Sequence, residues 1–321
     1  MNALQPKSRT SVLIGFVDWI MPLACAVLMV YFAFATKAFF TFANISTVIT
    51  QNAPTFVVAG FAGMLLMSGY VDLSVGSMMA LSGVSAAIVF NSAGVGAGVV
   101  TGLAVGLLVG VVNGILIGVL GLSPIVVTLG GLAGGRAMAQ FLAPDSIFGF
   151  PPPVGAFANT SFLGITYVGW VAIIVSLILV FVMGALPIGK RIQAIGVNPR
   201  ASFLVGIRVK WTVVALYAAV GLAVGIAGLL QVARLDSAPS GTLGLGFEVT
   251  ILTAILLGGI PFTGGRGSIW RVLIGVWLLA ILKNGLTLMN FGPEVAGMVT
   301  GGVLVVAAGL EALTVWLRRR A

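Results

Sequence analysis

Between Asp18 and Asp145 the only acidic side chain is Asp72, in the stretch Gly69-Tyr70-Val71-Asp72-Leu73-Ser74-Val75-Gly76. Apolar segments flank it, over 53–68 and 77–90. An ionised carboxylate at membrane depth costs on the order of a few kcal/mol, so it must face protein, water or a partner. Gly69 and Gly76 bracket it, and glycine lets the backbone leave a helix there. Two readings follow. In one, the stretch is a break between membrane helices, turned toward an internal cavity, the setting in which irregular backbone is tolerated at that depth. In the other it is a plain cytoplasmic turn with Asp72 capping the next helix.

Ser74, Asn113, Thr128, Arg136 and Asn284 are also polar groups set in apolar surroundings. Intramembrane polar groups are candidates for a substrate path; each also fits helix-to-helix hydrogen bonding worth about 1 kcal/mol. Other chemistry finds little support. The chain has no histidine, which removes the usual neutral-pH proton carrier and every His-based triad or zinc site. Its sole cysteine, Cys25, excludes an internal disulfide and a multi-cysteine metal site. Gly184-Ala-Leu-Pro-Ile-Gly189-Lys190 matches the phosphate-loop spacing, but Arg191 stands where Ser or Thr would hold magnesium, and an apolar helix precedes it. The chain therefore shows no nucleotide site of its own. No paired carboxylates occur at helical spacing, and no nucleophile–base or metal constellation appears, so an enzyme is not indicated. Asn159-Thr160-Ser161 fits a glycosylation sequon and says little alone.

Of the 321 residues 60% are hydrophobic and 7% charged, a balance that fits a polytopic helical membrane protein. The apolar runs are about twenty residues long, twice what a barrel strand needs. Ten spans are predicted, near 16–36, 46–68, 77–90, 94–118, 122–142, 165–186, 212–232, 247–262, 269–289 and 294–317, forming a single transmembrane domain over 1–321. In the fourth, glycines stand at 94, 98, 102, 106, 110, 114 and 118. Four residues turn a helix by about 400°, so this ridge drifts by about 40° per step. It reads either as a central helix against which others slide or as close packing alone.

Ten spans place both termini on one side. With that side cytoplasmic, the internal loops hold five basic residues of 187–210, Arg266 and the terminal Arg318-Arg319-Arg320, while the external loops hold only Lys37 and Arg234. The 143–163 segment, with Asp145 and Pro151-Pro152-Pro153, carries no positive charge. The net charge of +9 is thus explained by topology without invoking nucleic acid.

The loop 187–210 is amphipathic and too polar to cross lipid. Asn198-Pro199 predicts the cap and first residue of a short helix ending near Val205. The loop reads as an interfacial helix on anionic lipid or as a knob that docks into a groove on a cytoplasmic partner. The specificity of Ala194-Ile195-Gly196-Val197-Asn198-Pro199 favours docking.

Taken together, several strings resemble the inner-membrane permease of bacterial ribose-type sugar ABC importers: Gly69 to Gly76 (the family's Gly-x-x-Asp-Leu-Ser-Val-Gly), Asn113-Gly114, Pro124-Ile-Val-Val-Thr-Leu-Gly130, Arg136, the run from Ala194 to Ile207, Leu257-Gly258-Gly259, Gly264-Gly265-Arg266-Gly267 and Asn284-Gly285-Leu286. They occur in the family's order. Departures are Tyr70-Val71, where the family usually has Gly-Ile, Trp270-Arg271, where it keeps small residues, and Thr250, where it often has an acidic or small one. The resemblance implies an all-α subunit of ten transmembrane helices in the bacterial inner membrane, pairing with a second copy or close homologue. Two ABC ATP-binding subunits, carrying the ATP and magnesium, would dock from the cytoplasm, and a periplasmic sugar-binding protein would deliver cargo. Ala194, Ile195, Gly196, Asn198, Pro199, Ala201, Gly206 and Ile207 would form the ATPase-coupling loop, with Asp72 and Ser74 near the path. No cofactor is expected on this chain. A proton-coupled secondary transporter with Asp72 titrating is the competing reading, although one isolated acid makes a thin relay.

Overall fold

The computed structural model describes the backbone of residues 9–320 and the side chains of residues 22–306 and 309. Lys7 and the side chains of Arg9 and Arg318-Arg319-Arg320, which enter the charge count above, lie outside the described residues. The chain is helical almost throughout: α1 (Arg9–Ala35), α2 (Phe42–Met67), α3 (Val75–Ala93), α4 (Val95–Gly114) continuing into one π turn (Ile115–Val119), α5 (Pro124–Leu142), α6 (Pro152–Asn159), α7 (Tyr167–Ala185), α8 (Pro187–Val197), α9 (Pro199–Leu204), α10 (Val209–Leu235), α11 (Phe247–Leu257), α12 (Ile269–Leu288) and α13 (Pro293–Arg320). A hairpin of β1 (Ser161–Phe162) and β2 (Ile165–Thr166) interrupts the segment between α6 and α7.

Local chemistry sets many of these boundaries. Proline opens α5, α6, α8 and α9, where its missing N–H and fixed φ suit a first turn. Thr41 caps α2 and Thr166 caps α7, each accepting from the amide three residues on.

Among the described residues, seven helices are long and apolar enough to cross a membrane: α2, α3, α4 with its π turn, α5, α7, α10 and α12. Three shorter apolar stretches stand beside them, Pro22–Ala35, Phe247–Leu257 and Pro293–Val306. All ten predicted spans thus coincide with helices, but the eighth differs in kind. It ends at Leu257 rather than near 262, and its 11 residues cover about 16 Å, half a bilayer core. The chain just before it, 236–246, is irregular. This segment starts beside the loop after α5, where Ile147 and Ala238 exchange backbone hydrogen bonds of 3.3 and 2.9 Å. It ends against the start of α3, where a Cβ on either Gly76 or Gly244 would strike the other's carbonyl oxygen.

Helix α10 packs on α2, α3 and α4; α2, α3 and α10 are largely buried, at 78%, 72% and 61% of their spanning windows, against 22% for α4. The glycine ridge of α4 winds as its drift predicts. Gly98 meets Phe90 and Ala86 of α3, Gly102 meets Ala86 and Leu229, and Gly106 and Gly110 meet Gly221 of α10. A side chain on Gly106 or Gly221 would strike the opposite backbone oxygen. The ridge locks a peripheral helix onto the centre, which is the packing reading.

Candidate functional site

The stretch 68–74 links α2 to α3, both of which pack on α10. It leaves α2 through Gly69, whose φ of 85° is left-handed and needs no Cβ. Asp72 then turns inward and is 5% exposed. Its Oδ1 accepts from the Ser74 amide at 2.8 Å and from Ser74 Oγ at 2.5 Å. This Asx turn opens α3 beneath it, and the positive end of that helix favours the carboxylate. Asp72 Oδ2 is buried with no hydrogen-bond partner among the described residues. The stretch is thus buried among helices, and Asp72 binds the N-cap residue Ser74 without itself capping the amides of α3.

Neighbouring helices grip this turn. Asn113 of α4 donates from Nδ2 to Ser74 Oγ at 3.2 Å. Ser77 Oγ lies 2.9 Å from Ser74 O and 3.0 Å from Gly131 O of α5. Tyr217 of α10, fully buried, donates its hydroxyl to Val71 O at 2.8 Å. The sequence reading missed Tyr217. Its signal was a phenol inside an apolar run, since a buried Tyr hydroxyl seeks a partner.

The remaining candidates are spread over the bundle. Thr128 is buried and donates back to Pro124 O at 2.8 Å, within its own helix. Arg136 Nη1 donates to Ser240 O at 3.0 Å and to Leu243 O at 2.6 Å, tying α5 to the irregular segment. Glu248 stands in the first turn of α11. Its Oε2 is buried without a hydrogen-bond partner among the described residues, beside Gly76. Asn284 exchanges two hydrogen bonds with Asn44. The structure thus joins Asp72, Ser74 and Asn113 in one cluster and places Arg136 and Asn284 in two others.

The loop 187–210 folds as α8 and α9. Ile192 and Ile195 bury one side of α8, and Gln193 Nε2 donates to Gly267 O at 3.0 Å. Gly196 is pressed so closely on Met67 O and Gly265 N that a Cβ would strike both. Asn198 caps α9, accepting from the Ala201 amide at 3.0 Å, with Pro199 next as predicted. The helix ends in a turn through Gly206 at φ 87°, and the Ile207 amide returns to Ser202 O at 3.0 Å. Ala194 lies partly buried in α8, whereas Ala201 is exposed. Beyond it Val197, Phe203, Leu204 and Val205 form an uncovered apolar tip, each at least 68% exposed. The knob is thus held firmly at its base and bare at its end.

Residues 44–308 match the family model described as branched-chain amino acid transport system / permease component. The chain is 31% identical to the D-allose transport system permease protein of Escherichia coli, over 89% of each chain. It is 28% identical to the galactose/methyl galactoside import permease protein of Salmonella typhimurium over 98% of each. With the ribose import permease protein of Escherichia coli it shares 29% identity over 90% of this chain and 93% of that one. No solved structure matches the chain.

Proposed function

Because the chain belongs to the branched-chain amino acid transport system / permease component family, we propose that it is the membrane-spanning permease of an ATP-driven importer for a small neutral sugar in the bacterial inner membrane. The cargo class rests on relatives whose names specify allose, galactose and ribose. The observation that carries the ATP-driven reading is the knob of α8 and α9. Its base is wedged into the end of α2 and its apolar tip is bare, the form expected of a segment that enters a groove on a partner. Two ATP-binding subunits take that tip from the cytoplasm and supply nucleotide and magnesium. A periplasmic binding protein delivers the sugar to the opposite face.

Seven long helices, three shorter ones and the irregular segment 236–246 support ten crossings with both termini cytoplasmic. A second permease copy completes the path. In its support, Gly241, Thr242, Leu245 and Gly246 of the irregular segment are exposed in the single chain. Irregular backbone at membrane depth must be covered by protein or line water. Helix α5 points the same way: only 11% of its spanning length is buried, yet it carries four glycines, Thr128, Arg136 and Gln140.

The test is purification with the ATPase and binding protein encoded beside it, reconstituted into vesicles and assayed with labelled D-ribose, D-allose and D-galactose. ATP-dependent uptake of one of them, with hydrolysis stimulated by the loaded binding protein, is the expected result. Uptake by the lone chain that requires only a proton gradient would overturn it.

A further inference from the structure

Helix α10 starts directly after the α8–α9 knob. The Val209 amide donates to Ile207 O at 2.8 Å and the Thr212 amide to Arg208 O at 2.9 Å. Tyr217 follows about 12 Å along the helix from Val209. Its side chain is fully buried and its hydroxyl reaches Val71 O, the carbonyl next to Asp72. On the other side of Asp72, Asn113 holds Ser74. Tyr217 and Asn113 stand on different helices, but those helices are interlocked. Gly106, Gly110 and Gly114 of α4 meet α10 so closely that a Cβ on any of them would clash with its backbone. The two donors therefore belong to one body, which the short link through Gly206 joins to the knob.

The α2 side is built differently. The turn joins α2 through left-handed Gly69, which is exposed. Below it, Gly196 of α8 rests on Met67 O and Gly265 N. A shift of the knob thus carries the end of α2 relative to the α4–α10 body, and the stretch 70–74 is what bridges the two. Gly69 supplies the pivot and the Tyr217 hydroxyl supplies the grip.

We propose that Tyr217 is a positioning residue that carries motion of the α8–α9 knob to the Asp72 turn, by holding Val71 O to the α4–α10 body. The proposal rests on the permease reading above. It assigns the hydroxyl a role in coupling that the buried ring alone does not perform.

The test uses the full importer in vesicles, with ATP hydrolysis and uptake followed together for whichever of D-ribose, D-allose or D-galactose the wild type transports. Tyr217→Phe keeps the ring and removes one donor. Hydrolysis is expected to stay within about twofold of wild type, while sugar moved per ATP falls about tenfold, the scale of one buried acceptor left unpaired. Hydrogen exchange across 68–76 should respond to vanadate trapping in the wild type and not in the variant. An unchanged ratio, or uptake and hydrolysis falling by the same factor, overturns the proposal. Should Tyr217→Phe fail to assemble, the wild-type complex decides alone: hydrogen exchange across 68–76 that does not change on vanadate trapping overturns it equally. Failure of the permease reading is seen separately, as a wild-type complex in which ATP drives no uptake.

Discussion

Asn44 and Asn284, 240 residues apart in sequence, exchange two hydrogen bonds of 2.9 Å between their side-chain amides. Asn44 Nδ2 also reaches Phe39 O at 2.9 Å, so the pair fastens the start of α2, the loop before it and the last turns of α12. Both amide groups are thereby engaged with protein. Asn284→Ala should cost about 1–2 kcal/mol, since Asn44 is left with an unpaired donor and acceptor. Thermal unfolding in detergent checks this, and a double-mutant cycle with Asn44→Ala should return most of the loss as coupling. The KM for the transported sugar should not move; a change there would return Asn284 to the substrate path.

The seam between α4 and α10 makes a sharper forecast. Gly106→Ala places a methyl group against Gly221 O and should destabilise the protein by about 1–3 kcal/mol, as overpacking does. Gly130→Ala on α5 meets nothing within 4 Å, so the same chemical change there should be neutral or gain up to about 1 kcal/mol from helix propensity. Equal melting temperatures for the two single-chain variants would contradict the backbone-to-backbone packing.

At the knob, position decides the experiment. Gly196 has no room for a Cβ, so even Gly196→Ala should disturb the fold as well as coupling. Ala201 is exposed, and Ala201→Asp should leave stability within about 0.5 kcal/mol. It should nonetheless weaken capture of the ATP-binding subunit by about thirtyfold or more, the scale of an interface hot spot. Co-purification and uptake measure it together; normal uptake would count against docking at this tip.

Arg136 is the support of the irregular segment. Arg136→Met strands Ser240 O and Leu243 O and should cost about 2–6 kcal/mol, at about 1–3 for each acceptor left unpaired. Arg136→Lys, able to reach one carbonyl, should recover part of it. Limited proteolysis between residues 236 and 246 should accelerate in the first variant and only modestly in the second; unchanged cleavage in both would show that the segment stands without the clasp.

Much of the helical layout was legible in the sequence because lipid demands long apolar runs. Hence seven of the predicted spans fell on helices long and apolar enough to cross a membrane and three on shorter apolar stretches, and Asn198-Pro199 marked the start of α9. Contacts distant in sequence were not legible. That α2 and α3 both pack on α10 follows from no periodicity, so the partner of Tyr217 could not be named. The meeting of Gly76 with Gly244 likewise depends on how 236–246 descends, and polar composition alone made that segment look like a surface loop. Of the proposed path residues, Asp72, Ser74 and Asn113 converge, while Arg136 and Asn284 resemble them in type and serve other joints.

The shortness of α11 also constrains how the chain is made. An apolar stretch of 11 residues is too brief to halt in the membrane alone as it leaves the ribosome. It must enter with α12, against which it packs, as a helical hairpin. The irregular segment above it finds its supports, Arg136 and the start of α3, only once the earlier helices have gathered. Assembly of the Arg136 joint is therefore a late step in biogenesis, and a chain truncated before α12 would leave α11 without the helix it packs on.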